Sequence, residues 1–167
     1  FSLATASADG QPTLRTVLLK LFDEGGFVFF TNYNSKKGQQ LDENSQVAML
    51  FPWLLLERQI KITGTAEKIS VEQSAKYFAS RPRGSQLGAW ISEQSDALQS
   101  RKILEDKFAQ ALKELAGKDV PMPKSWGGYR VVPTSIEFWQ GRENRLHDRF
   151  RYDLGKSGEW GITRLEP

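Results

Sequence analysis

The single histidine of the 167-residue chain, His147, lies between two arginines in the stretch ENRLHDRFRY. Side chains at positions i, i+2 and i+4 of a β-strand share a face, so a strand here would line up Arg145, His147 and Arg149. Because neighbouring positive charges disfavour the charged form of an imidazole, such a histidine could accept a proton or a hydrogen bond. The spacing therefore predicts a positively charged surface with one imidazole available for chemistry.

The alternative interpretation is an exposed polar face on an edge strand, with Leu146 and Phe150 turned inward. That arrangement would turn Asp148 inward as well, where a carboxylate needs a cationic or hydrogen-bonding partner. The alternative interpretation is therefore incomplete. Hydrolysis by a serine–histidine pair is disfavoured, because no serine lies in the glycine-flanked turn that presents such a nucleophile.

The segment RPRGSQ, which begins at Arg81, could bind an anion. Pro82 predicts that one helix ends at Arg81, and the next helix would begin at Gly84 or Ser85. A helix N-terminus presents free N–H groups, so Ser85 and this helix start could hold a phosphate beside Arg81. Tyr77 lies one helical turn before Arg81 and could add a hydroxyl group, or it could simply be half-buried against the sheet.

Two other basic pairs have weaker local signals. Arg15 and Lys20 are an odd number of positions apart, so a regular strand would send them to opposite faces. Lys36 and Lys37 would ordinarily belong to a solvated surface. Trp139 could stack on a planar ring, although core packing is the more frequent use of tryptophan.

Composition excludes several classes of protein. The chain has 39% hydrophobic and 26% charged residues, a net charge of +3 and a pI near 9.2, typical of one globular domain that can take an anionic partner. Without cysteine, and with one histidine, neither a disulfide nor a thiolate or imidazole metal site is expected. The absence of cysteine fits a cytoplasmic protein, which we expect. No apolar run is long enough to span a membrane. Because the chain opens at Phe1 within a predicted strand, we expect an N-terminal segment to be missing.

Short strand-like segments at close spacing, separated by turns, favour an antiparallel barrel or sandwich, and ERQIKITGTAEKI alternates well enough for a half-buried strand. Ser70 and Gln73 form a capping box before a helix that Pro82 should end, and a helix with an apolar stripe is predicted from Arg101 to Ala116. We predict a single α+β domain over residues 1–167, built on an antiparallel β-barrel with peripheral helices. The other predicted elements are the short helix SKKGQQLDEN and the strands FSLATAS, TLRTVLLKLF, FVFFT, QVAMLF, ERQIKITGTAEKI, GGYRVVP, SIEFWQG, RLHDRFRY and EWGITRL.

Eight motifs, spread over nearly the whole chain, carry a family resemblance: RTVLLK, FFTNYNSKKGQQ, LFPW, LERQIKITGTAEK, YFASRPRGSQLGAWISEQS, WGGYRV, EFWQG and RLHDRFRY. In these motifs and their order the chain resembles the pyridoxine (pyridoxamine) 5'-phosphate oxidase family. The resemblance implies a split β-barrel homodimer that binds flavin mononucleotide (FMN) noncovalently at the subunit interface, with each site using both chains. Lys36 stands where the family often has arginine, which keeps the charge but loses the bidentate fork.

Carried over motif by motif, the resemblance implies two sets of contacts. Arg145 and His147 would be the catalytic residues, lying over the pyridine ring and the reacting carbon of the substrate. The substrate-binding set would be Lys20, Tyr77, Arg81, Ser85, Arg145, Leu146 and His147. The FMN-binding set would be Arg15, Thr16, Val17, Leu18, Leu19, Lys20, Phe30, Thr31, Lys36, Lys37, Gln59, Gln94, Ser95, Trp139 and Arg149.

The implied reaction oxidises pyridoxine 5'-phosphate or pyridoxamine 5'-phosphate to pyridoxal 5'-phosphate, with dioxygen as electron acceptor and hydrogen peroxide as product. FMN and substrate each carry a phosphate of about −1.5 to −2 charge, which gives the basic groups a common purpose. A split-barrel flavoprotein that uses a different reductant should lack the RPRGSQ and RLHDR groups. From another class, the alternatives are a carrier of pyridoxal 5'-phosphate and a basic barrel that binds nucleic acid with steep salt dependence. The resemblance implies neither a nucleic-acid nor a membrane partner.

Overall fold

The computed structural model describes every residue from Phe1 to Pro167. It contains nine strands, four α-helices and two 3-10 turns. The strands are β1 Ser2–Ala6, β2 Pro12–Thr16, β3 Leu21–Asp23, β4 Gly26–Asn32, β5 Gln46–Trp53, β6 Arg58–Lys68, β7 Trp126–Gln140, β8 Asp148–Leu154 and β9 Trp160–Arg164. The helices are α1 Lys36–Glu43, α2 Val71–Ser80, α3 Arg83–Ile91 and α4 Arg101–Glu114, and the 3-10 turns are Leu54–Leu56 and Glu143–Arg145.

The strands form one antiparallel sheet. Its hydrogen-bonded order is β2-β1-β5-β6-β7-β4-β3, with β8 paired to β7 and β9 paired to β8. Burial alternates along β1 and β5, where Leu3, Thr5, Val47 and Met49 are buried and their neighbours are more exposed. This period of two is typical of strands that bury one face. The predicted α+β class with an antiparallel sheet is confirmed.

Two compact units make up the chain. The first unit comprises residues 1–29, 40–67 and 130–167, and the second comprises residues 30–39 and 68–129. Because each unit buries its own set of apolar side chains, each has a core; the single-domain organisation stays a prediction. The first core includes Leu3, Val28, Phe29, Met49, Ile62 and Val131, and the second includes Phe78, Leu87, Ala111, Val120 and Trp126.

Helix α2 begins where the capping box predicts. The Ser70 hydroxyl oxygen accepts a hydrogen bond from the Gln73 backbone N–H at 3.1 Å, and the Gln73 side chain accepts one from the Ser70 N–H at 3.4 Å. These two bonds satisfy N–H groups that a helix start leaves without partners. No helix of the structure is both long enough and apolar enough to cross a membrane.

The junction between α2 and α3 is set by Pro82. Arg81 takes an extended conformation, with φ −75° and ψ 149°, because the residue before a proline avoids the helical region. Helix α3 then begins at Arg83, one or two residues earlier than predicted, since Pro82 already serves as its N-cap.

Helix α4 ends at Glu114, two residues before the predicted end. Its apolar stripe is only partly covered: Ala111 is buried, Phe108 packs on the core of the second unit, and Leu104 and Leu112 stay exposed. Only part of the apolar stripe therefore packs against the core of the second unit.

Several predicted strands have different bounds in the structure. TLRTVLLKLF is not one strand but breaks between β2 and β3. Val17 exchanges backbone hydrogen bonds with Phe1, whereas the Lys20 N–H donates to the Val28 carbonyl at 2.9 Å, so the chain changes its partner strand. The premise that Arg15 and Lys20 share one regular strand is therefore wrong. GGYRVVP and SIEFWQG, in contrast, form the single strand β7.

Candidate active site

A cluster of polar side chains links β4, α1 and the segment after α3. The Lys37 amine donates hydrogen bonds to the Thr31 hydroxyl and the Gln94 side-chain oxygen, each at 3.1 Å, and the Thr31 hydroxyl donates to the same Gln94 oxygen at 3.0 Å. The Lys36 backbone N–H donates to the Ser95 hydroxyl at 3.2 Å. Ser95 has a φ of 80°, which is uncommon for a residue with a side chain. Five members of the predicted FMN-binding set are thus joined by hydrogen bonds.

A cleft of about 380 Å³ in the second unit extends from this cluster. Its walls combine Thr31 and Gln94 of the predicted FMN-binding set with Arg81 and Ser85 of the predicted phosphate-binding group. Two sets of residues that the resemblance assigned to different ligands therefore line one cleft. The lining residues are Phe30, Thr31, Asn32, Arg81, Ser85, Gly88, Ala89, Ser92, Gln94 and Trp126.

Arg81 has a buried guanidinium nitrogen, Nη1, without a hydrogen-bond partner. Its guanidinium carbon lies 4.9 Å from the centroid of the Trp126 ring, an arrangement that favours a cation over the ring face. Burial lowers the pKa of Arg81 from its ordinary value, although the group stays charged at neutral pH. A buried cationic N–H without a hydrogen-bond partner costs free energy, so an anion that accepts a hydrogen bond from it would be bound favourably.

Arg83 provides a contrast two residues away. Its guanidinium donates hydrogen bonds to the backbone carbonyls of Leu115 and Lys118, the latter at 2.8 Å. Arg83 therefore ties α3 to the end of α4 and is occupied structurally. The two arginines of RPRGSQ thus have different roles in the structure.

A stack of aromatic rings forms the floor beside Arg81. Phe30 lies 4.0 Å from Tyr77 and 5.3 Å from Trp126, measured between ring centroids, with nearly parallel planes. Tyr77 is half-buried in this stack and does not line the cleft itself, as the alternative interpretation of this residue expected. Gly128 allows the close packing, because a Cβ there would lie only 2.9 Å from a Phe30 ring carbon.

Strands β6, β7 and β8 contribute another group of predicted contacts in the first unit. Trp139 of β7 is directly opposite Arg149 of β8, so the two side chains share a face. Glu137 lies two residues before Trp139 and therefore on the same face. On β6, Gln59 and Lys61 likewise share a face, and the Lys61 amine donates to Glu137 at 2.7 Å. Three predicted FMN contacts, Gln59, Trp139 and Arg149, therefore lie on the strand faces that meet at the buried Glu137 carboxylate.

Glu137 is the buried centre of this group, with 4% of its surface exposed. Arg149 donates to one of its oxygens from Nε at 3.1 Å and from Nη2 at 2.9 Å, and Lys61 donates to the other oxygen. Burial raises the pKa of Glu137, but the hydrogen bonds and charges of Lys61 and Arg149 outweigh it and lower the pKa overall. The carboxylate is therefore ionised at neutral pH.

The segment that contains the predicted catalytic residues differs from the prediction. Glu143–Arg145 is a 3-10 turn, and β8 begins only at Asp148. Asn144 and Arg145 have φ angles of 54° and 61°, so the chain reverses there instead of extending. The prediction that Arg145 and His147 share a strand face with Arg149 is wrong, because the positive φ angles are incompatible with a strand. Leu146, expected inward in the alternative interpretation, is 70% exposed.

His147 is held by the backbone and by an aromatic ring. The backbone N–H of Arg142 donates to its Nδ1 at 3.1 Å, and its ring lies 4.7 Å from that of Trp139. Because Nδ1 acts as the acceptor, the neutral ring carries its proton on Nε2. Nε2 is therefore a hydrogen-bond donor. The sequence suggested that this imidazole could accept a hydrogen bond, and in the structure its acceptor nitrogen, Nδ1, is already occupied by the Arg142 N–H.

Asp148 has two cationic partners, of the kind that a carboxylate turned inward needs. Arg142 donates to one carboxylate oxygen at 2.8 Å, and Arg164 of β9 donates to the other at 2.9 Å. These hydrogen bonds lower the pKa of Asp148, with a smaller opposing effect from burial. The network fixes the end of the turn that presents Arg145 and His147.

The predicted FMN contacts around β2 are arranged differently. The Arg15 guanidinium donates to the Leu3 carbonyl and to the hydroxyls of Thr5 and Thr13, so it joins β1 and β2. Burial lowers the pKa of Arg15 from its ordinary value. Leu19 is half-buried, whereas the side chains of Thr16, Leu18 and Lys20 are exposed.

Two family models match the chain in consecutive parts. Residues 1–113 match the model described as pyridoxamine 5'-phosphate oxidase, and residues 126–167 match the model of the pyridoxine 5'-phosphate oxidase C-terminal dimerisation region. The chain belongs to the pyridoxine/pyridoxamine 5'-phosphate oxidase family. Relatives with that name include those of Crocosphaera subtropica, 62% identical over 99% of this chain and 78% of their own length, and Aliarcobacter butzleri, 58% identical over 100% and 79%.

Two solved structures share the fold of this chain. PhzG from Burkholderia lata 383, solved in complex with tetrahydrophenazine-1-carboxylic acid, is 32% identical, with a TM-score of 0.94 over 99% of this chain and 81% of that one. A pyridoxamine 5'-phosphate oxidase-related, FMN-binding protein from Nostoc punctiforme shares the fold, with a TM-score of 0.80, 17% identity, and coverage of 99% and 87%. The predicted split-barrel fold is confirmed.

The residues of this oxidase-family chain fit an anionic cofactor such as FMN. The cleft is lined by one arginine and several hydroxyl and amide groups, and no acidic side chain lines it. The buried N–H of Arg81 without a partner, and the Lys37 amine beside the cleft, supply positive charge. No group of three or more acidic, histidine or cysteine side chains that could hold a metal ion is present.

Sequence reasoning missed Glu137 and Lys61, which share strand faces with predicted site residues of the first unit, and it named neither Arg142 nor Arg164 as a partner of Asp148. Glu137 could have been found from the alternation of β7, because a glutamate two residues from Trp139 must share its face. Its partners could not, since Lys61 is 76 residues away in the chain.

Proposed function

We propose that this chain catalyses the FMN-dependent oxidation of pyridoxine 5'-phosphate or pyridoxamine 5'-phosphate to pyridoxal 5'-phosphate. Dioxygen is the electron acceptor and hydrogen peroxide the second product, with ammonia released from the amine substrate. One observation carries the proposal: the cleft joins an unpartnered, buried Arg81 N–H to the Thr31 and Gln94 cluster. The names of relatives up to 62% identical support the same reaction.

Positive charge and hydroxyl groups hold the cofactor in this proposal. Lys37 supplies a charge that the Thr31 and Gln94 oxygens fix in place, and the Ser95 hydroxyl accepts a hydrogen bond from the Lys36 backbone N–H. Trp139 and Arg149 present a flat ring and a guanidinium on one strand face. The chemistry that bound FMN supplies is acceptance of a hydride from the C4' carbon and reduction of dioxygen.

The substrate phosphate is bound by Arg81 and Ser85, which both line the cleft; the family resemblance adds Tyr77 and Lys20, neither of which lines it. A charge-assisted hydrogen bond from the unpartnered Arg81 N–H offsets the cost of burying that group. This contact lies on a part of the substrate that does not react, so its binding energy serves to position the C4' carbon.

Arg145 and His147 act at the reacting end of the substrate. Arg145 supplies electrostatic stabilisation from a turn in which it has a φ of 61°, and such uncommon conformations cluster at functional sites. His147 donates a hydrogen bond from Nε2 to an acceptor on the substrate, because the Arg142 N–H already occupies Nδ1. Leu146, between them, presents an exposed apolar side chain to the substrate ring.

A homodimer with FMN at the subunit interface is the proposed assembly. The match of residues 126–167 to a dimerisation-region model supports it. Large apolar side chains in that region are exposed in the single chain, including Leu146 at 70% and Ile162 at 61%. A second subunit would also cover an apolar pocket of about 440 Å³ that is lined in part by Trp53, Phe138 and Phe150.

The test is anaerobic reduction of the FMN-loaded protein. Pyridoxine 5'-phosphate should bleach the flavin absorption, and admission of air should restore it with one hydrogen peroxide for each pyridoxal 5'-phosphate. Unphosphorylated pyridoxine is the matched control and should react poorly at the same concentration. Failure to bind FMN, or equal reduction by pyridoxine with and without its phosphate, would contradict the proposal.

A further inference from the structure

The Arg149 guanidinium donates hydrogen bonds to two parts of the protein, the Glu137 carboxylate and the Glu166 carbonyl. Its Nε and Nη2 donate to one Glu137 oxygen, and its Nη1 donates to the Glu166 carbonyl at 2.8 Å. A guanidinium has five N–H groups, so three are occupied and one each remains on Nη1 and Nη2. The orientation of the two remaining N–H groups is therefore determined by the other three.

Glu137 is suited to hold that orientation. It is 4% exposed, it lies on the face of β7 that carries Trp139, and both of its oxygens are occupied. Lys61 donates to the second oxygen, which keeps the carboxylate from turning away from Arg149. Two cations around one anion leave a net charge of +1 on this face, which favours an anionic ligand.

We infer that Glu137 is a positioning residue, which holds Arg149 so that its two remaining N–H groups are aimed at FMN. The inference rests on the proposed function, in which Arg149 contacts the cofactor. Neither the family models nor the names of relatives assign a role to Glu137. A rotamer-rich arginine loses conformational entropy when it binds, and a preset orientation removes that cost from cofactor binding.

A merely structural role makes a different prediction. A buried ion pair often contributes little net stability, but removing one partner leaves the other charge uncompensated. If Glu137 only stabilised the sheet, its replacement would lower the melting temperature and affect FMN binding equally whether or not Arg149 is present. If it acts through Arg149, its effect on FMN should vanish when Arg149 is absent.

The experiment is a double-mutant cycle with FMN affinity as its readout. The dissociation constant of FMN is measured by quenching of flavin fluorescence for the wild type, Glu137→Ala, Arg149→Met and the double variant. Glu137→Ala should weaken FMN binding by on the order of ten-fold, as the loss of a residue that orients a ligand does. In the Arg149→Met background the same substitution should change the constant by less than about two-fold.

Conservative variants separate positioning from folding. Glu137→Gln keeps an oxygen that can accept from Arg149, so it should recover part of the lost affinity and retain more of the visible circular dichroism of bound flavin than Glu137→Ala. Lys61→Met leaves the Arg149 bonds intact and should weaken FMN binding less than Glu137→Ala. Glu67→Ala, on the exposed side of β6, is the matched control and should bind FMN as the wild type does.

The outcomes distinguish this inference from the proposed function. A wild-type protein that does not bind FMN contradicts the proposed function. A wild type that binds FMN, together with equal losses in both backgrounds or no loss in either, overturns the role of Glu137 alone. If Glu137→Ala does not fold, the cycle with Glu137→Gln decides: the inference requires weaker binding beside Arg149 and no change in the Arg149→Met background.

Discussion

The Lys37 amine donates a hydrogen bond to the Gln94 side-chain oxygen at 3.1 Å, although the two residues are 57 positions apart in the chain. The same oxygen accepts from Thr31 at 3.0 Å, and the Lys37 amine also bonds the Thr31 hydroxyl. A flexible lysine is thereby held in one place with its positive charge beside the cleft. Such fixation makes a lysine more effective as a ligand for a phosphate, because less side-chain entropy is lost on binding.

Lys37→Met should weaken FMN binding by on the order of ten-fold, equivalent to about 1.4 kcal/mol, because it removes a charge that the cluster fixes. The dissociation constant of FMN, followed by fluorescence quenching at two salt concentrations, measures this effect. Lys102→Met, on the exposed face of α4 where Lys102 pairs with Asp106, is the control and should leave the constant unchanged. Equal affinity in the Lys37 variant would remove this residue from the site.

Arg81→Ala should raise the Michaelis constant for pyridoxine 5'-phosphate by on the order of ten-fold or more, with a smaller effect on turnover. The reason is that Arg81 binds a phosphate that does not react, through an N–H that has no other partner. Arg83→Ala is the matched control, since Arg83 is occupied by backbone carbonyls. The control should have a lower melting temperature and an unchanged Michaelis constant. If Arg83→Ala raised the Michaelis constant and Arg81→Ala did not, the two arginines would have been assigned the wrong roles.

Arg145→Ala and His147→Ala should each keep FMN bound while turnover falls by roughly a hundred-fold, as is typical when an electrostatic or proton-handling group is lost. Flavin content is read from the visible spectrum, and the rate of anaerobic flavin reduction isolates the chemical step. Loss of FMN with a normal reduction rate in the remaining holoenzyme would show that these residues bind the cofactor instead.

Asp148 should contribute stability that disappears in acid. Arg142 and Arg164 lower its pKa in the folded protein below the ordinary value of about 3.8. A depressed pKa means that the contribution is fully present above that ordinary value and is lost as pH falls through the lower, folded-state pKa. Wild-type protein should therefore lose its stability advantage over Asp148→Asn below about pH 4.

Urea unfolding of both proteins at pH 7 and pH 3 measures this difference. Asp148→Asn should be less stable than wild type at pH 7 and closer to it at pH 3. Asp106→Asn, in an exposed pair on α4, is the control and should differ little from wild type at either pH. A gap between wild type and Asp148→Asn that stays constant with pH would argue against the ion pairs as the cause.

Ile162→Asp should raise the dissociation constant of the homodimer by about ten-fold or more, because it places a charge on an apolar side chain that is 61% exposed in the single chain. Thr163→Asp is the control, since neighbouring residues of β9 point to opposite faces. Analytical ultracentrifugation measures the association. Should both substitutions act alike, the Ile162 face would not be the specific interface.

Local signals were sufficient where the physics is local. The bounds of α2 follow from Ser70, Gln73 and Pro82, because a capping box and a proline act on their own neighbours along the chain. For the same reason, the alternation of ERQIKITGTAEKI predicted the half-buried strand β6. Predictions from neighbouring residues were wrong where a residue distant in sequence is the partner. The strand predicted through Lys20 breaks because the Lys20 backbone N–H donates a hydrogen bond to Val28 of another strand.

The sequence by itself determined the class of fold, the family, and the residue types available to bind two phosphates and a flat ring. Only the tertiary structure decided which of these side chains have other partners. Arg81 and Arg83 are two positions apart in one motif, yet one has a buried N–H without a partner and the other is bonded to carbonyls of the α4 end. Spacing along the chain cannot distinguish them, because hydrogen-bond partners are assigned by contacts between segments that are distant in sequence.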